Sequence, residues 1–120
     1  MTATANRESD ADRCAPRLAI DPEALRSHAG EATRLLKALS NPSRLMVLCS
    51  LAQGELTVGQ INERVPLSQS ALSQHLAVLR RGGLVRTRRS AQTIYYSIAD
   101  GPAGRIIETL HEIYCGPVSR

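Results

Sequence analysis

The sequence predicts a mainly α fold with one small β-hairpin, and three observations point there. Apolar residues recur at steps of three and four along most of the chain from Asp21 onward. Between Leu84 and Ile98 the pattern changes to two β-prone runs around Ser90-Ala91-Gln92. Gly82-Gly83 stands at the change, offering the left-handed backbone that ends a helix. A length of 120 residues fits one domain. With three Tyr, no Phe and no Trp, its core must come mainly from Leu, Ile, Val and Ala.

Residues 1–20 are small, polar and charge-balanced without helical period, and read as a flexible tail; residues 21–120 form the domain. Asp21-Pro22 opens a helix as N-cap and first-turn proline. Leu25, Ala29, Ala32, Leu36 and Leu39 give it one apolar stripe, and Gly30 is the expected place for a kink or split. Asn41-Pro42 repeats the signal and starts a second helix to about Ala52, apolar nearly all round and therefore central. Gln53-Gly54-Glu55 is a turn. Thr57 with Gln60 matches a capping box opening a short helix to about Val65. Pro66 breaks it, and Ser68 caps the next helix, Gln69 to Arg81. Two short helices joined by a tight turn outline a helix-turn-helix. In the second β run Ile94, Tyr96 and Ile98 face one way, Tyr95 and Ser97 the other. A last helix runs from Pro102 to Cys115 with a stripe of Ile106, Ile107, Leu110, Ile113 and Tyr114. This order is that of a winged helix-turn-helix, with flanking N- and C-terminal helices whose stripes a homodimer would cover.

Composition excludes several function classes. The longest apolar run, Leu45 to Ala52, is far short of the roughly 20 residues that cross a bilayer, and the first residues show no secretory h-region. Three widely spaced cysteines, an odd number, fit a reducing compartment rather than a disulfide framework. A cytoplasmic protein without membrane contact is expected. The net charge of +4 conceals a division. Between Glu63 and Asp100 there is no acid, while Arg64, Arg80, Arg81, Arg86, Arg88 and Arg89 make that stretch +6 against −2 elsewhere. Such a block is a footprint for a polyanion.

On the helix from Gln69 to Arg81, Leu72, Leu76 and Leu79 define the core side. Ser70, Ser73, Gln74, Ala77 and Arg81 point away, with Gln69 at the N-terminal rim. An acid-free face of Ser and Gln suits the major groove of double-stranded DNA, where Gln can pair bidentately with adenine. Ser68 and the helix N-terminus offer N–H groups to a phosphate. His75 falls nearer the core edge, a structural or phosphate-touching histidine rather than a metal ligand. Arg86, Arg88, Arg89 and Gln92 near the hairpin tip are candidate backbone or minor-groove contacts.

The stretches Leu36-Lys37-Ala38-Leu39-Ser40-Asn41-Pro42-Ser43-Arg44-Leu45, Leu67-Ser68-Gln69-Ser70-Ala71-Leu72-Ser73-Gln74-His75-Leu76 and Leu79-Arg80-Arg81-Gly82-Gly83-Leu84-Val85 resemble the ArsR/SmtB family of winged-helix repressors. The match runs from about Leu35 to Ile98. The resemblance implies a homodimer that occludes its operator until an inducer lowers DNA affinity, a regulator and not an enzyme, without a cofactor. Many members of the family bind metal through a Cys-x-Cys before the recognition helix, where this chain has Glu55-Leu56-Thr57-Val58-Gly59-Gln60. Others bind zinc on the last helix, where Pro102 and Ile113 replace the required ligands and His111 stands alone. No metal site is therefore expected at either place.

Cys49 on the second helix and Cys115 at the end of the last resemble the sensor pair of the family's dithiol subgroup, the sulfide- and persulfide-responsive BigR/SqrR and HlyU types. The resemblance implies a Cys49–Cys115 disulfide or short polysulfide bridge formed with a small inorganic or organic persulfide as inducer. Two other readings use the same thiols. One is a metalloid sensor for arsenite or cadmium using Cys14, Cys49 and Cys115; the other is a peroxide-responsive dithiol regulator. A thiol oxidoreductase ranks below these, for want of a Cys-x-x-Cys and a paired base.

Overall fold

Asp21 starts the first helix as the sequence requires: its carboxylate accepts the Glu23 N–H at 3.1 Å, with Pro22 in the first turn. The computed structural model describes residues 15–116, and Cys14 lies outside them together with the rest of residues 1–14. Ala15–Ile20 form neither helix nor strand and are exposed. Helix α1 (Pro22–Arg26) is one turn long and α2 (Ala29–Leu39) follows it. The break thus falls at Ser27–His28, not at Gly30. The Ser27 hydroxyl donates to the Ala24 carbonyl at 2.9 Å, closing α1 by the local competition that serine offers a helix. His28 Nδ1 meets Glu31 Oε1 at 3.1 Å as α2 begins.

Helix α3 (Pro42–Ser50) is capped by Asn41, whose side-chain oxygen accepts the Arg44 N–H at 3.0 Å. It ends two residues before the expected Ala52, where the Ser50 hydroxyl donates to the Val47 carbonyl at 2.6 Å. α3 is central, with Val47 and Leu48 fully buried, yet not apolar-buried all round: Met46 is 51 % exposed. The expected stripe of the first helix shifts similarly. Ala38 and Leu39 are buried, while Leu25 and Leu36 face outward.

Strand β1 (Leu56–Thr57) has no counterpart in the sequence reading. Two residues are too few to show alternation, and Thr57 serves at once as strand residue and as cap of α4 (Val58–Arg64). That capping box is complete: Thr57 Oγ1 accepts the Gln60 N–H at 3.2 Å and Gln60 Oε1 accepts the Thr57 N–H at 2.9 Å. α5 (Gln69–Arg81) begins at Ser68, whose hydroxyl accepts the Ala71 N–H at 3.2 Å. It ends at Gly82, after which Gly83 takes φ +76°.

β2 (Val85–Ser90) and β3 (Thr93–Ile98) form the hairpin, Ser90 opposite Thr93, with left-handed Ala91 at φ 57° opening the two-residue turn. β1 pairs with the far side of β3, so the sheet has three antiparallel strands in the order β1-β3-β2. α6 (Pro102–Cys115) packs on α3. Ala103 and Ile107 enter the core, but Ile113 and Tyr114 at the end of the expected stripe are exposed. One core joins α3 to α6 and the sheet, from Leu39 through Val47, Leu48, Ile61 and Leu72 to Ile107.

Leu48→Ala is expected to lower unfolding free energy by about 2–5 kcal/mol, since it empties a fully enclosed site. Asn41→Ala should cost about 1 kcal/mol through the lost cap. Urea denaturation followed by circular dichroism reads both.

Candidate nucleic-acid interface and thiol pair

Leu72, Leu76 and Leu79 are buried, which sets the rotation of α5 about its axis. Gln69, Ser70, Ser73, Gln74, Arg80 and Arg81 are then exposed, together with the capping Ser68. These polar side chains and one helix N-terminus share a surface on which α5 contributes no acid. His75 is half-buried at the edge, as its angle on the helix requires. Its Nδ1 lies 3.5 Å from Arg44 Nη1. Arg44 also donates Nε to the Ala38 carbonyl at 2.7 Å and Nη2 to the Lys37 carbonyl at 3.3 Å, satisfying carbonyls at the C-terminus of α2. One guanidinium on α3 thus meets both the end of α2 and the side of α5.

A groove of about 490 Å³ runs between α5 and the sheet, lined by Ser73, Leu76, Ala77, Arg80, Arg81 and Tyr96. Arg80 and Tyr96 are additions to the DNA-contact candidates that the sequence suggests. Arg80 carries a sequence signal as part of the basic run. Tyr96 carries none, because only the packing of the hairpin beside α5 brings it there.

The hairpin arginines divide. Arg86 Nη1 lies 3.5 Å from Asp100 Oδ2. Arg88 donates Nε to Glu55 Oε2 at 3.1 Å and Nη2 to Glu55 Oε1, a two-pronged pair, while its guanidinium carbon sits 4.6 Å from the centre of the Tyr95 ring. The hydrogen bonds from Arg88 hold the Glu55 carboxyl below its ordinary range, and the same bonds raise Arg88. Arg89 and Gln92 are exposed near the turn. In sequence Glu55 is simply part of a turn. It precedes Glu63, the last acid before the basic block, and no linear pattern joins it to Arg88.

Cys49 and Cys115 are both free thiols, the first half-buried on α3 and the second exposed at the last residue of α6. Burial pushes the Cys49 thiol up, and the charge of Cys115 adds in the same direction. The two sulfurs of one chain are therefore within electrostatic reach across the α3–α6 contact. Among the described residues, no three or more His, Cys, Asp or Glu side chains converge as a metal-ligand set. None of the described helices is long and apolar enough to cross a membrane.

Residues 41–87 match the model of the bacterial regulatory protein arsR family, and these are the residues from the cap of α3 to the first half of β2. The chain is 50 % identical over 91 residues to the transcriptional activator HlyU of Vibrio cholerae, spanning 76 % of this chain and 84 % of that one. The crystal structure of the transcriptional repressor BigR from Xylella fastidiosa superposes with a TM-score of 0.75 at 38 % identity, covering 82 % of this chain and 100 % of that one. The homodimeric winged helix-turn-helix DNA-binding domain of Mb0332 from Mycobacterium bovis is similar at a TM-score of 0.67 and 31 % identity, covering 80 % of this chain and 89 % of the other. With its helix-turn-helix, its hairpin wing and relatives of this closeness, the chain belongs to the arsR family of bacterial transcriptional regulators.

Proposed function

We propose that this regulator is a homodimeric repressor whose operator affinity is switched by reactive sulfur through Cys49 and Cys115. The observation that carries the switch is that these thiols stand on two helices packed on each other, α3 and α6, within electrostatic reach, one half-buried and one exposed. Cys115 is the accessible nucleophile. Its thiolate takes the outer sulfur of a persulfide R–S–SH and expels R–S⁻, leaving Cys115–S–SH. Cys49 then attacks the Cys115 sulfur and expels HS⁻. The sum converts two thiols and one persulfide to a disulfide, a thiol and hydrogen sulfide. A second persulfide molecule, captured by Cys49 before closure, inserts one sulfur and gives a trisulfide bridge. Either bridge ties α6 to α3.

α3 is in turn packed on α5 and joined to it through Arg44 and His75, so the tether biases the helix that faces DNA. Ser70, Ser73 and Gln74 read bases in this proposal, Ser68, Gln69 and His75 accompany them at the rim, and Arg81, Arg89 and Gln92 meet the backbone. The dimer forms through the flanking helices, where Leu25, Leu36, Ile113 and Tyr114 are exposed apolar side chains. The homodimeric Mb0332 domain supports this assembly, and a cytoplasmic setting accords with a DNA-bound regulator.

Gel-shift titration against a duplex selected from a random pool, with and without glutathione persulfide, tests the switch. The wild type should release DNA as intact mass shows a Cys49–Cys115 link, while Cys49→Ser and Cys115→Ser stay bound. Release by arsenite or cadmium, with persulfide inert, would overturn it in favour of a thiolate metalloid site. Release by peroxide alone would overturn it in favour of a peroxide sensor. Gln74→Ala with Ser70→Ala should weaken operator binding by about tenfold or more, as expected when a bidentate base contact worth about 1–3 kcal/mol is lost. Iodoacetamide at about pH 7 should label Cys115 faster than Cys49, read by peptide mass, because Cys49 is half-buried and its thiol is raised.

A further inference from the structure

Strand alternation sorts the wing arginines onto two faces of the sheet. Leu56, Tyr96 and Thr87 are register partners on one face, and Tyr96 on that face lines the groove beside α5. Arg89, two residues beyond Thr87 and opposite Ile94, belongs to the same face near the turn. Thr57, Tyr95 and Arg88 are register partners on the other face, and Arg86, opposite Ser97, joins them. The arginines turned away from α5 are the two that hold carboxylates, Arg86 with Asp100 and Arg88 with Glu55. The arginine turned toward α5 has no ion pair among the described residues.

Arg88 spans all three strands. From β2 its guanidinium lies over Tyr95 of β3 and reaches Glu55, the residue before β1. β1 is two residues long and leads directly into the capping box of α4. The pair therefore fixes the wing to the first residues of the helix-turn-helix, at a point where backbone hydrogen bonds are few. Planarity matters here, since two parallel N–H donors engage the carboxylate while the same plane covers an aromatic ring.

We propose that Glu55 and Arg88 form a clamp that positions the wing, and that contact of the hairpin with the DNA backbone falls to Arg89 and Gln92. Arg88 keeps its carboxylate in the DNA complex, acting as a positioning residue and not as a phosphate contact. The contact role of Arg89 rests on the DNA-binding reading above; the clamp does not.

Salt titration of DNA affinity by fluorescence anisotropy on a duplex of about 30 bp separates the roles, because each phosphate contact contributes about 0.9 to the slope of log K against log salt. Arg89→Ala removes one such contact from each wing of the proposed homodimer and should flatten the slope by about twice that amount, about 1.8. Arg88→Ala and Glu55→Gln should each weaken binding severalfold at every salt concentration with the slope unchanged, and Arg88→Lys should fail to restore affinity. A flattened slope in Arg88→Ala, or a steepened slope in Glu55→Gln as a freed Arg88 reaches phosphate, overturns the proposal. Amide hydrogen exchange of the DNA-free protein gives a readout that DNA cannot influence. Arg88→Ala, Glu55→Gln and the double variant should speed exchange at β1 and β3 equally, and additive effects would mean that the two residues do not act as a clamp. If no duplex is bound by the wild type, the DNA reading and the role of Arg89 fall while the exchange comparison still decides the clamp.

Discussion

The seam of Leu72, Leu76 and Leu79 buried in the common core is the constraint on which the outer face of α5 depends. Burying one leucine contributes about 1.5–3 kcal/mol, whereas the serines and glutamines opposite lose little by staying in water. A turn of α5 by one position would expose leucine and bury polar side chains, so its azimuth is set by the core and not by the polar groups on its outer face. The same setting brings His75 to the edge, within reach of Arg44. The polar face proposed to read DNA is thus placed by apolar packing, on the side the core does not need.

Charge is organised less simply than a count of residues implies. The stretch from Arg64 to Ala99 has no acid in sequence, yet in space two of its six arginines meet carboxylates from outside it, Glu55 and Asp100. Exposed ion pairs contribute little to stability. Beyond the local positioning by Glu55 and Arg88, they also decide where positive potential remains. A third arginine, Arg64, donates to the Ser50 carbonyl at 3.3 Å. Arg80 and Arg81 line the groove with Ser73, and Arg89 lies near the turn on the sheet face that Tyr96 shares. That concentration favours a wing that lies along a backbone over one that attracts polyanions on both faces.

The thiol pair shows a similar asymmetry. Cys49 sits in the central helix, where burial disfavours its thiolate, and Cys115 stands at the exposed end of α6. In the proposed switch this arrangement would separate capture from closure, because the first encounter would occur at the surface and the second would need α6 to hold its place on α3. The terminal turns of α6 carry exposed Ile113 and Tyr114, so whatever covers them also governs how firmly that place is held.

Elements governed by local rules are legible in the residues themselves. Asp21, Asn41, Thr57 with Gln60, and Ser68 each cap the helix that their positions announce, because a cap involves groups two or three residues apart. The leucine seam and the strands of the hairpin follow from periods of about 3.6 and 2. The break at Ser27–His28 escapes such rules because a serine hydroxyl ends α1 ahead of the glycine that composition favours, and β1 escapes them because two residues carry no period. The amino-acid order therefore suffices for the winged helix-turn-helix, the outward face of α5 and the assignment of two thiols to two helices. Folding in three dimensions adds that those thiols come within electrostatic reach, that Tyr96 enters the groove and that Arg88 is held by a carboxylate 33 residues away. The difference is one of range: capping and periodicity act along the chain, whereas ion pairs and helix contacts depend on distances that only the packed chain brings about.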